Sequence, residues 1–364
     1  MLLLGASIEF AQPPKPSPEP DVLVFTDGEK LIGHLVRSTG DKVTFKSDAA
    51  GEVTVDWKKI KELHTSQKYA VIRKGVELGA SEASSQVPRG TINATSEKIE
   101  LSAGPQGSPQ TVPVADAAVV IDEAGFEKAL HRPGLLEDWK GVVTGGVSLV
   151  EATQNSTSFS GGVALVRAVP LESWLDPRNR TIVDFSAAYG KVTQPNTPTV
   201  KTSIYHTDAE RDQYFSPRLY GFGQLAYDHN FSQGLDLQQM YGGGLGWTVI
   251  KSAKQSLDVK GSISYINQEF QIAGQNQNLI GSTFAERYNR TLPRGILFTE
   301  QLAVTPAWNN TRAYSGVAGA GLTLPVYKRL SLAINSLDTF LNDPPPGFKK
   351  NSFQLTAGVT YTLP

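Results

Sequence analysis

Apolar and polar positions alternate with period two through most of this chain. In its last stretch, NSFQLTAGVTYTLP (Asn351 to Pro364), Phe353, Leu355, Ala357, Val359, Tyr361 and Leu363 are apolar. Between them, Gln354, Thr356, Gly358, Thr360 and Thr362 are small or polar. Such alternation gives a strand one oily and one wet face. About 9–11 residues of it suffice to cross a bilayer. From Trp139 onward the pattern, punctuated by turn residues, predicts about twelve strands, at 140–152, 155–170, 179–193, 199–212, 217–231, 236–251, 255–271, 281–290, 294–308, 313–326, 329–340 and 351–363. One example is Leu219, Gly221, Gly223, Leu225 and Tyr227, which oppose Phe222, Gln224, Ala226, Asp228 and Asn230. Arg167 and Glu300 fall on the oily face, so each must lie near a membrane interface.

Connection lengths point the same way. Segments after the even strands are mostly short, such as Ser252-Ala253-Lys254 and Tyr327-Lys328. Those after the odd strands are mostly longer, such as Ile272 to Ile280 and Asn342 to Lys350. An even strand number, short turns on one side and long loops on the other are the signature of an outer-membrane barrel. The rule breaks at the first two connections, where the first is short and Pro170 to Arg178 is long. A soluble sandwich would give the same alternation with its oily face inward.

Upstream, short strands and turns predict a separate small β domain over residues 21–121. It shows a repeat of about 57 residues. Gly33-His34-Leu35-Val36 and Lys42-Val43-Thr44-Phe45 correspond to Gly90-Thr91-Ile92-Asn93 and Lys98-Ile99-Glu100-Leu101. Val53-Thr54-Val55 and Ile60 find counterparts in Thr111 to Val114 and in Val119. Each copy is a meander too small to bury much core alone. One or two small SH3- or Sm-like barrels, packed as a pair, are expected. Asp122 to His131 reads as a short helix within a linker at 122–137, with acids first and bases last. Residues 1–20 combine Leu2-Leu3-Leu4, which resembles the end of a secretory signal peptide, with five prolines between Gln12 and Pro20. The domains are therefore 1–20, 21–121, 122–137 and 138–364, the last being the barrel.

The closing strand also resembles the C-terminal assembly signal of bacterial outer-membrane barrels. Thr356 is its polar position, Gly358 its glycine, Tyr361 its aromatic and Leu363 its hydrophobic position. The usual final aromatic is missing, since Leu363 is followed by Pro364. The opening WKGVVTGGVSLVEATQNSTSFSGGVALVRAV, the ending Asn335-Ser336-Leu337 … Asn342-Asp343 … Phe353 to Leu363, and the TDGEKLIGHLVRSTGDKVTF segment upstream resemble the uncharacterised Gram-negative barrels labelled salt-induced outer-membrane proteins. The resemblance implies an all-β chain in the outer membrane, with its small domain in the periplasm. Its partners would be outer-membrane lipid, the barrel-assembly machinery and an unidentified periplasmic protein. The family brings no chemistry to transfer.

Composition narrows the functional classes. A net charge of −1 with 19% charged residues gives no clustered basic face for nucleic acid. With no cysteine, disulfides and thiolate metal sites are excluded. No apolar run is long enough for a transmembrane helix. There is no nucleophile elbow, phosphate loop or dinucleotide fingerprint, and the five histidines lack metal-ligand spacing. No cofactor is called for. The sharpest polar set is His206, Asp208, Asp228 and His229 on neighbouring predicted strands. Carboxylate–imidazole pairs at a barrel mouth could activate water, although His229 alternates away from Asp228. Three functions compete: an outer-membrane barrel acting as a small pore or in envelope and salt stress, a secreted β-protein binding glycan or protein, and a barrel-mouth hydrolase. The first accounts for most of the pattern, and the chain is not read as an enzyme. Charge at lumen-facing Thr360 should be tolerated, and charge at lipid-facing Tyr361 should not.

Overall fold

In the computed structural model, the described residues are 19–76, 86–102, 108–130, 134, 136–150, 155–170, 175–193, 199–252 and 254–363. The signal-like segment, most of the proline-rich stretch, Trp174 and most of the loop after Val192 lie outside them. The chain divides into two compact units, Met1–His131 and Arg132–Pro364.

The first unit is a sheet of nine strands: β1 (Asp21–Phe25), β2 (Lys30–Thr39), β3 (Lys42–Ser47), β4 (Gly51–Asp56), β5 (Ile60–Arg73), β6 (Arg89–Ala94), β7 (Lys98–Ser102), β8 (Gln110–Pro113) and β9 (Ala117–Asp122). A helix, α1 (Glu123–Leu130), ends it. The expected repeat is visible as connectivity. In the first copy β1 pairs with β2 and with the start of β5, and β2-β3-β4 form a meander. In the second, the end of β5 pairs with β6 and β9, and β6-β7-β8 form the meander. Each copy passes from its meander to its last strand through one 3-10 turn, Trp57–Lys59 or Val114–Asp116. The registers make Leu23, Leu35, Val43, Phe45, Val55, Ile60 and Leu63 equivalent to Val71, Ile92, Ile99, Leu101, Val112, Ala117 and Val120. The counterpart of Ile60 is thus Ala117 rather than Val119, because the first residue after the 3-10 turn fills that core position in both copies. All fourteen belong to a single buried core.

Glycine is required at equivalent points, since a Cβ at Gly33 would strike the Lys46 carbonyl oxygen and one at Gly90 that of Ser102. The copies also exchange partners. The last strand of the first, β5, pairs with the end of β6 through Leu63 and His64. The last strand of the second, β9, pairs with the end of β2 through Val119, Val120 and Ile121. Where the copies meet, buried Asp21 accepts from the Leu35 and Ser66 amides at 2.8 Å each. The Tyr69 hydroxyl donates to the Leu35 carbonyl at 2.7 Å and lies 3.3 Å from Asp21 Oδ2.

The second unit is a closed antiparallel barrel of twelve strands in sequence order. These are β10 (Lys140–Val150), β11 (Asn155–Val169), β12 (Asn179–Thr193), β13 (Val200–Tyr214), β14 (Leu219–Asn230), β15 (Leu235–Lys251), β16 (Gln255–Phe270), β17 (Gln277–Thr291), β18 (Leu297–Thr305), β19 (Ser315–Tyr327), β20 (Leu330–Leu341) and β21 (Asn351–Thr362). The all-β class and the twelve-stranded closed barrel are those the alternation predicts. Alternation sets the two faces. Phe159, Tyr205, Leu225, Leu245, Ile263, Phe284, Leu332, Leu355 and Tyr361 point outward and are exposed. Arg167 and Glu300 do lie on that face, two residues from the end of β11 and three from the start of β18. The end carrying the β15–β16 and β19–β20 connections is the one at which β10 enters; it is called the near end.

Closure runs through β10 and β21, with Val142, Val143, Thr144 and Gly145 opposite Thr362, Tyr361, Thr360 and Val359. A Cβ at Gly358 would strike the Gly145 carbonyl oxygen across this seam. The glycine of the signal-like pattern therefore has a packing reason to be there. Thr360 corrects one expectation: it faces inward, but it is 3% exposed and its Oγ1 lies 3.0 Å from that of Thr144. The inner face is not wet at the seam, so a charge there would be buried.

Two predictions follow from these contacts. Burial, and after it the Asp21 carboxylate, raises the Tyr69 phenol well above its usual pKa of 10.0. The phenol then ionises more readily unfolded than folded. Its stabilising contribution is intact below pH ~10 and declines above it by up to ~1.4 kcal/mol per pH unit. Tyr69 is the only tyrosine between Glu19 and Leu130. Urea unfolding of that fragment should lose stability more steeply above pH ~10 than the same fragment with Tyr69→Phe. Second, Gly358→Ala should sharply reduce heat-modifiable, membrane-inserted barrel. Gln354→Asp, whose side chain faces the lumen away from the seam register, should insert normally. Equal yields of the two would show that the seam tolerates a side chain.

Candidate functional site

Inward-facing side chains are read from the register. Among the described residues, charges on that face lie on β12, β13, β14, β16 and β17, apart from Lys140 and Lys251 at the near mouth. The inward positions of β11, β18, β19, β20 and β21 carry none. There Ser158, Ser160, Thr299, Gln301, Gly319, Asn335, Gln354 and Thr356 recur among small and apolar residues. The lumen thus has a charged half and a neutral half.

Ion pairs cross the charged half. Arg180 of β12 donates from Nε to Asp212 of β13 at 2.7 Å and from a terminal nitrogen to Asp258 of β16 at 3.2 Å. Asp258 also accepts from Thr248 Oγ1 at 2.6 Å. Lys260 of β16 donates to both oxygens of Glu210 on β13, at 2.5 and 2.6 Å. Arg287 of β17 lies 3.8 Å from Asp184 of β12. Arg180–Asp258, Lys260–Glu210 and Arg287–Asp184 join strands three to five apart around a ring of twelve, which are not neighbours, so these contacts are chords across the interior. Rings fill the space between. The Arg180 guanidinium lies 5.3 Å from the Tyr220 ring centre, and Lys260 Nζ lies 5.4 Å from that of Phe222. On the outer wall, a concave apolar patch of about 950 Å³ is lined by outward-facing Leu245, Trp247, Phe284, Leu302 and Val304, among others.

Three of the four residues singled out in the sequence meet beside these chords. His206 Nδ1 lies 2.6 Å from Asp228 and its Nε2 lies 3.0 Å from Asp208. Gln238 donates to the other oxygen of Asp228 at 2.9 Å, and Gln268 to Gln238 at 2.7 Å. His229 does not join them. It faces outward, with Nε2 2.8 Å from Ser203 Oγ and Nδ1 2.8 Å from the Asp236 carbonyl. Adjacent strand residues point to opposite faces, so Asp228 and His229 cannot share a site. Both His206 nitrogens are occupied by carboxylates, and neither is free to activate water or a hydroxyl. No group of three or more metal-ligating side chains is disposed around a common point among the described residues.

The mouth far from β10's entry holds a feature that alternation could not reveal. The 3-10 turn Phe231–Gln233, between β14 and β15, reaches across to the β20–β21 connection. Gln233 is buried and donates to the Thr339 and Lys350 carbonyls at 3.0 and 2.7 Å, and accepts from Asn230 at 3.0 Å. Leu235, Phe270 and Leu341 pack together beneath it. Beside this latch opens a lobe of about 770 Å³ lined by Ser158, Ser160, Thr202, Ser352, Gln354 and Thr356.

A family model described as "Protein of unknown function, DUF481" matches residues 143–363. No curated protein matches the sequence. Among solved structures, the NanC porin is similar over 62% of this chain and 100% of its own, with 8% identity and a TM-score of 0.38. The β domain of the Bordetella autotransporter BrkA is similar over 62% and 98%, with 12% identity and a TM-score of 0.31. The outer-membrane channel DcaP of Acinetobacter baumannii is similar over 94% of both chains, with 12% identity and a TM-score of 0.28. Scores this low carry no weight for the site.

The chords make a stability prediction. Asp212 has a fully buried side chain and depends on Arg180. Arg180→Leu strands two carboxylates and should cost about 3–5 kcal/mol, the price of breaking a buried pair from one side. Replacing both Lys260 and Glu210 by Met removes a pair without stranding either member, and should change stability by less than half as much. Urea unfolding in detergent, followed by heat-modifiable migration, compares the two.

Proposed function

The chain belongs to the DUF481 family of proteins of unknown function, and we propose that it is an outer-membrane β-barrel forming a small pore, held narrow by ion pairs across its lumen. Three features support the membrane location. The barrel is closed, most of its outward residues are apolar, and most of its short turns lie at one end. In barrels of this kind the short turns face the periplasm, and the chain enters β10 at that end. The Asp21–Asp122 sheet is accordingly read as periplasmic. Thr356, Gly358, Tyr361 and Leu363 are read as the signal offered to the barrel-assembly machinery.

One observation carries the pore reading: the set of chords from Arg180, Lys260 and Arg287 to carboxylates on other strands. A barrel serving only as an anchor could fill its interior with apolar side chains at lower cost, because burying charge is expensive even when it is paired. The envelope- and salt-stress role implied by the family resemblance enters the same reading. Asp184–Arg287 is the longest and most exposed of the chords. Ionic strength screens exposed pairs more than buried ones.

Conductance tests the proposal. In planar bilayers the wild-type protein should give small steps. Replacing Lys260 and Glu210 together by Ala removes one chord and its bulk, and should raise step conductance at least about twofold by widening the constriction. A barrel that inserts yet passes no current in either form would refute the pore.

A further inference from the structure

We propose that the passage through this lumen selects small cations over anions. The inference rests on the pore reading and concerns what the pore admits. Inward-facing charges on β12 to β17 comprise six carboxylates, Asp184, Asp208, Glu210, Asp212, Asp228 and Asp258. Against them stand Arg180, Lys260 and Arg287, with His206 when it is protonated. Lys140 at the near mouth adds one positive charge, while Lys251 beside it is neutralised by Asp176 at 3.1 Å. The balance is negative with either form of His206.

Accessibility sharpens the point. Asp212, Glu210 and Asp258 have side chains 0%, 7% and 9% exposed, and they are locked to Arg180 and Lys260. Asp184, Asp208 and Asp228 are 27%, 26% and 28% exposed, so water in the lumen reaches them. Three accessible carboxylates meet one accessible guanidinium, that of Arg287, and the His206 imidazole between Asp208 and Asp228, so carboxylates remain in excess. A second observation agrees. Among inward buried atoms without a hydrogen-bond partner, Asp184 Oδ2, Asp212 Oδ1 and Gln268 Oε1 can only accept, and the Tyr220 and Ser264 hydroxyls can accept as well as donate. The wall has acceptors to spare. An ion shedding water in a narrow, low-dielectric passage is stabilised by such oxygens when it is a cation and repelled when it is an anion. The neutral half of the lumen offers hydroxyl, amide and small side chains, which favour neither sign.

The closing experiment is the reversal potential in a potassium chloride gradient, with the wild-type barrel and with the wider Lys260→Ala, Glu210→Ala form. Potassium should permeate at least about threefold better than chloride. Asp208→Asn with Asp228→Asn keeps side-chain size and should bring the ratio close to one. Gln224→Arg adds a cation to the same wall without removing any carboxylate, and should lower the ratio if the double variant fails to fold. Current with no preference, with a chloride preference, or with a potassium preference untouched by these changes overturns the selectivity and leaves the pore standing. Absence of current from every inserted form overturns the pore reading, and the selectivity falls with it.

Discussion

A sheet placed in hydrocarbon has no water with which to satisfy an open edge. Each unpaired backbone group there costs several kcal/mol, so the wall must close on itself. That one requirement organises the second unit. It sets β21 against β10 and leaves no room for a side chain at Gly358 beside the Gly145 carbonyl. It also fixes the faces, because a one-residue slip would turn every oily side chain inward. The outward set from Phe159 to Tyr361 and the inward set from Arg180 to Thr360 are two readings of the same register.

Closure alone leaves an interior to fill. In this barrel the filling is unequal. Chords of charge and aromatic rings occupy one half, while small polar and apolar side chains line the other. The chords bind strands that are not neighbours in the ladder, so they resist changes in cross-section that backbone hydrogen bonding permits. The Gln233 latch does the same at the far mouth with neutral groups, joining β14–β15 to β20–β21.

The sequence displayed the ladder and concealed the chords. Alternation is local, and Leu219 to Asn230 or Phe353 to Leu363 disclose their faces without reference to the rest of the chain. The contact of Arg180 with Asp258 spans 78 residues, and nothing in either neighbourhood announces it. His206, Asp208 and Asp228 were legible as a set because they sit on adjacent strands. Grouping His229 with them set sequence proximity against the pleat, and the pleat decides. Thr360 was read correctly as inward and incorrectly as wet, since alternation reports direction but not what lies opposite. In the first unit the repeat was visible, but its register drifted by two residues at Ile60, where a short turn interrupts the pattern.

The exchange of strands in the first unit has a consequence for how it can change. Each copy draws a pairing partner from the other, and β5 belongs to both. The unit is in effect a two-fold dimer whose protomers share a strand. Dilution cannot part them, because the link between them is part of the fold and no tether sets an effective concentration. Neither copy can be dropped without opening the other. Duplication, once built in this way, works as a ratchet: two copies can diverge in their side chains, as Phe45 and Leu101 have, but they can no longer return to one.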